Sequence, residues 1–288
     1  MRKLSIIAAT LLMSMFVVSN AYAGYITMAF DLSYIGGSGT TALFNEMNLD
    51  IIHATSNYAA GFGSGVFSDN GNFRVSSLQL GGPVNDLGLS LATPTWELTG
   101  QWNNLTGSIV NQTNLYGNVY QVVFAYNAGS LGLYSHVYPA GGQLAQFGPD
   151  KGGYDGDTGA TFTDGIKVAT LSLKDGIGTL IVDMTDANPS NWVVLTGATT
   201  LNWDFVTALD GFWSDGTSSI ADQLETQGFS TTFTNVKGVT FDVDFVGMDK
   251  IHSNNEGSAK VGVPEPTSML LLGMGVAGLA LFRRKRAA

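Results

Sequence analysis

Carboxylates and imidazoles are the groups in this chain that could hold a cation or move a proton. Residues 150–159 run Asp-Lys-Gly-Gly-Tyr-Asp-Gly-Asp-Thr-Gly, and Asp164 follows. Hard cations take several carboxylate oxygens from a flexible turn, so Asp155, Asp157 and Asp164 make calcium the cofactor this sequence invites. The EF-hand pattern is incomplete, lacking its third acid and its terminal bidentate Glu, and a plain solvated turn is the competing reading. Asp242 and Asp244 lie about 6.6–7 Å apart along an extended strand, a spacing that suits paired carboxylates. Strand alternation explains the same pair as a wetted face without any chemistry. His53, His136 and His252 are isolated in sequence, and no neighbour marks them as bases or ligands.

Catalytic signatures are missing. There is no Gly-x-Ser-x-Gly elbow, no His-Glu-x-x-His pair and no complete phosphate loop. Gly36-Gly37-Ser38-Gly39-Thr40 has the glycines of a phosphate loop without its lysine and reads as a turn. With no cysteine, the chain has no thiol nucleophile, thiolate metal site or disulfide. Trp96, Trp102, Trp192, Trp203 and Trp213, with ten tyrosines, offer flat faces on which sugar rings could stack, although most aromatic residues of a β body belong to its core.

The elements that must position these residues read as strands. Ile26, Met28, Phe30, Leu32 and Tyr34 alternate with more polar residues, and Val239, Phe241, Val243 and Phe245 do the same, so the first and last strands are expected to be neighbours. Val168 to Leu173 and Thr179 to Met184 flank Asp175-Gly176-Ile177-Gly178, which predicts a hairpin turn. Further strands are expected over Asn72–Leu80, Trp96–Trp102, Val119–Tyr126, Leu131–Tyr138 and Trp192–Thr200. Helix is expected at Ser219–Glu225, stopped by Gly228, and as a short turn at Thr41–Met47. The fold class is therefore mainly β, an antiparallel sandwich or jelly-roll-like body. The 37 glycines fit strands joined by tight turns better than a helical bundle.

The ends differ from this body. Arg2 and Lys3, an apolar run from Leu4 to Val18, and small residues at Ala21 and Ala23 read as a signal helix cleaved ahead of Gly24. Six of the thirteen basic residues lie at the two ends, leaving the body seven basic against 22 acidic residues, a net charge of −15. That balance excludes nucleic acid and anionic lipid as partners, because both need Lys and Arg to meet phosphates. At the other end, Pro264, Glu265 and Pro266 precede an uncharged span from Met269 to Phe282, and Arg283, Arg284, Lys285 and Arg286 follow. The prolines hold the motif extended, the span suits a short transmembrane helix, and the basic cluster stops transfer and stays cytoplasmic.

This order of motif, apolar span and basic cluster at Val263 to Ala288 resembles the PEP-CTERM proteins, substrates of the membrane enzymes called exosortases in Gram-negative bacteria. The resemblance implies export through the Sec translocon, removal of the leader by signal peptidase and transient anchoring in the inner membrane. It further implies cleavage near Pro264-Glu265-Pro266 by an exosortase and delivery to the cell surface or an exopolysaccharide matrix. Since the bodies of such proteins vary, the resemblance is silent on activity. The expected layout is a signal peptide at 1–23, a β-rich extracytoplasmic body at 24–253, a linker at 254–262 and the sorting segment at 263–288. The expected function is a noncatalytic structural or adhesive domain of a biofilm or matrix, not an enzyme. A carbohydrate-binding module is the alternative, and a hydrolase with dispersed carboxylates is the third reading.

Overall fold

The computed structural model describes residues 24–59, 62, 65–84, 95–137, 162–163, 165–227, 230–236, 242–248 and 250–263. The acidic loop with Asp155, Asp157 and Asp164 lies outside the described residues, as do Ala21, Ala23, Pro264, Glu265, Pro266 and the basic cluster at 283–286. Among the described residues no helix is long and apolar enough to cross a membrane.

Residues 26–261 form one compact unit. Its main strands are β3 (Glu46–Tyr58), β4 (Val66–Gln79), β5 (Trp96–Tyr116), β6 (Val119–Val137), β7 (Ile166–Asp183), β8 (Val193–Ala208), β10 (Ser230–Val236), β11 (Asp242–Phe245) and β12 (Lys250–Val263). Every pairing between them is antiparallel where the register is resolved. The hydrogen-bonded order from β3 to β8 follows the chain and continues through β10 to β12, which also pairs along β3. The ladder thus closes on itself, and closure removes the exposed edges of an open sheet. An antiparallel β body was expected and is found. Its connectivity is a closed meander, without the crossovers of a jelly roll. Side chains from facing walls fill the interior as they would between two sandwich layers: Phe67, Phe124, Leu180, Val194, Phe245 and Ile251 meet in one buried cluster.

A second apolar centre forms where two short strands, β2 (Ala29–Phe30) and β9 (Trp213–Ser214), pair with each other. Phe30 stacks on Phe212 at 4.9 Å and meets Phe44, Trp213 and Trp96 edge-on or tilted at 4.7–6.0 Å. Offset and edge-on rings contribute about 0.5–1.5 kcal/mol per pair beyond area burial. Helix α1 (Ala221–Thr226) overlaps the segment expected to be helical, starting two residues later and ending one residue beyond it, and buries Ala221 and Leu224. The other described unit is small: in it β1 (Gly24–Tyr25) pairs with the end of β12, Gly24 opposite Val263.

Five expectations are corrected. The predicted hairpin at Asp175–Gly178 is the interior of β7, which runs unbroken from Ile166 to Asp183. Gly178 is directly opposite Phe124, whose ring occupies the place of a Cβ, and Gly100 and Gly107 receive Phe73 and Phe67 in the same way. These glycines make room for rings across the ladder instead of turning the chain. The linker expected at 254–262 is strand: β12 buries Ala259 and Val261 and pairs with β3. The strand expected over 26–34 is reduced to β2, followed by a 3-10 turn at Leu32–Ile35, because Asp31 accepts from Ser33 N at 3.0 Å and Gly36 ends the turn at φ 87°. β2 pairs with β9 and β11 with β12, so the two predicted end strands are not neighbours. Thr41–Met47 carries no helix; its last residues begin β3.

Candidate functional site

The most chemically distinctive group among the described residues is Asp69, which sequence reading passed over. β4 buries Phe67, Asp69, Gly71 and Phe73 at every second position, so strand period alone carries this carboxylate inward. Asp69 is 4% exposed. Ser56, opposite it on β3, donates to Oδ2 at 2.9 Å, Trp102 Nε1 on β5 donates to Oδ1 at 2.7 Å, and Tyr126 OH on β6 donates to Oδ2 at 3.5 Å. Four consecutive strands thus converge on one carboxyl group. The rings of Tyr58 and Phe67 pack tilted against each other beside it, centroids 5.3 Å apart, and Phe67 meets Tyr126 edge-on at 5.2 Å.

Burial pushes the Asp69 carboxyl up to about 6, while the donors Trp102, Ser56 and Tyr126 draw it back toward the charged form. The hydroxyls of Tyr58 and Tyr126 are raised by burial and by the nearby Asp69, which keeps both neutral. Asp69 can therefore exchange a proton near neutral pH. Among the described residues no histidine or second carboxylate bonds to it, and its two oxygens accept from Ser56, Trp102 and Tyr126, so the carboxyl group ties four strands together.

The described surface offers a cleft of about 130 Å³ lined by Ile26, Thr27, Asp215, Ile220, Gln223 and Leu224. Ligand pockets typically begin near 300 Å³, so this one suits a few waters. Asp215 is already satisfied: Oδ1 accepts from Thr217 N, Thr217 Oγ1 and Ser218 N at 2.7–2.8 Å, which holds its carboxyl below the usual range.

Residues singled out from sequence fall in scattered places. The register sets Asp244 opposite His252 and Asp242 opposite Asn254, which in turn faces His53 across β3. His136 lies opposite Glu97 on β5. The phosphate-loop-like glycines form the turn after Leu32–Ile35. Trp96, Trp102, Trp203 and Trp213 are buried, and Trp192 packs on Phe62 and Phe245 while its Nε1 donates to the Asp186 carbonyl at 2.9 Å. The tryptophans are thus committed to the core or its rim, and the exposed Tyr25, Tyr34 and Tyr116 belong to separate elements. Only the period-two alternation of β4 could have marked Asp69 in advance: it takes an inward position in the row that holds Phe67 and Phe73.

No curated protein and no solved structure matches the chain. Residues 262–286 match the family model of the PEP-CTERM protein-sorting motif. The match begins on the last two residues of β12. The chain therefore carries, in that segment, a PEP-CTERM sorting motif, the kind of signal that marks exosortase-sorted exported proteins.

Proposed function

We propose that this chain is a surface or matrix protein whose C-terminal segment serves delivery and whose β body is a noncatalytic structural or adhesive module. The sorting-motif match at 262–286 carries the reading. In this scheme the Sec translocon exports the chain, signal peptidase frees Gly24, and the span 269–282 holds the chain in the inner membrane while the basic residues 283–286 stay cytoplasmic. An exosortase-type enzyme then cuts near Pro264-Glu265-Pro266 and releases the body to the cell surface or an exopolysaccharide-rich biofilm. The sealed setting of Asp69 and the commitment of the tryptophans to packing support a structural body over a hydrolase or a sugar platform. Replacing Pro264 and Pro266 by Ala in the native host tests the sorting step: the released fraction is expected to vanish and a tailed precursor to accumulate. An unchanged released fraction would overturn it.

A further inference from the structure

The β5–β6 hairpin is longer than its neighbour on one side. β4 pairs with β5 only as far as Val66 opposite Ser108, and Gly65 accepts one more bond from Ile109 N. From Val110 to Tyr116 β5 is held, among the described residues, by β6 on one side alone, and all seven residues are exposed. A strand with one unpaired edge presents free N–H and C=O groups as a template for another strand, and proteins usually guard such an edge with Lys, Pro or an inward charge. None of these occurs in Val-Asn-Gln-Thr-Asn-Leu-Tyr. Bulges at Val110 and Leu115 bracket the edge and leave Asn111–Asn114 as its regular part.

Charge narrows the choice of occupant. The body carries a net charge of −15, so two copies repel over most of their surfaces. Yet no charged residue lies between Glu97 and Asp150, a stretch that contains the whole hairpin from Leu98 onward. We infer that the edge Val110–Tyr116 is a self-association surface on which a second copy of this chain adds the same strand in antiparallel register. A two-fold axis through Thr113 sets Thr113 opposite its own copy and Gln112 opposite Asn114, and brings Val110 of one copy toward Tyr116 of the other. Thr–Thr and aromatic–β-branched pairs are among the favourable cross-strand contacts, and the contact is isologous, so it closes at a dimer.

The chain has no cysteine, so a single introduced thiol reports this contact without background. With protein purified from its exporting host, sedimentation should show a dimer that grows with concentration. Thr113→Lys should weaken it by at least about tenfold, since like charges then face each other across the axis. Thr113→Cys should oxidise to a covalent dimer, whereas Asn103→Cys, exposed on the same strand beyond the free edge, should not. Matching circular dichroism spectra separate loss of association from loss of fold, and the thiol pair reads out even if the lysine variant misfolds. A protein that stays monomeric at every concentration, or cross-links equally from both thiols, would overturn the proposal. Export and sorting would be untouched by that result.

Discussion

A buried carboxyl group with a raised pKa stores a pH response in the fold. Asp69 ionises at an ordinary 3.8 when unfolded and near 6 when folded. Between those values the folded chain holds a proton that the unfolded chain has lost, so stability is greatest at the acid end and falls as pH rises through the window. Two pH units correspond to roughly 3 kcal/mol at full effect. Asp69→Asn retains an acceptor for Trp102 and should flatten the slope; urea midpoints from pH 4 to 7 measure it, and a persisting slope would assign it to other groups. Glycine makes a second residue-scale case. Gly178→Ala places a methyl against the Phe124 ring and should cost about 1–3 kcal/mol. Gly82→Ala, with open space around it, should stay within about 0.5 kcal/mol by the same denaturant titration. Neither role was legible beforehand: Asp-Gly-Ile-Gly is locally good turn chemistry, and only the ring waiting on β6 makes it a strand.

At the scale of elements, alternation carried the reading well where strands were apolar and poorly where they were polar. Trp96–Trp102, Val119–Tyr126 and Leu131–Val137 appear within strands because apolar residues recur at every second position along most of each. β12 was mistaken for a linker since Ser253, Asn254, Asn255, Gly257 and Ser258 are turn-like residues. What makes that segment a strand is nonlocal. β3 supplies one ladder, β10 and β11 lie along its other side, and Ile251, Ala259 and Val261 are buried. The Lys260–Glu46 pair at 3.1 Å, partly exposed, adds at most about 1 kcal/mol. Closure therefore rests on β12. A chain ending after Phe245 should lose cooperative unfolding, while one ending after Val263 should melt as the tailed protein does. Retention of a sharp transition without β12 would show that the sheet stands open.

For the molecule as a whole, the two ends and the body divide the chemistry. Cation-rich, apolar ends flank an acidic body, and the sorting motif starts where β12 stops, leaving Val263 opposite Gly24, the expected first residue after leader removal. The sequence by itself determined the sorting signal, the β class and the charge division, because these depend on contiguous residue types read by a membrane, an enzyme or a strand's own period. Only the tertiary structure decided which glycines turn and which lie beneath rings, that Asp69 faces inward among four strands, and that the ladder closes through β12. Each of those depends on partners from 13 to about 200 residues away in the chain, and such partners leave no local mark on the residues they constrain.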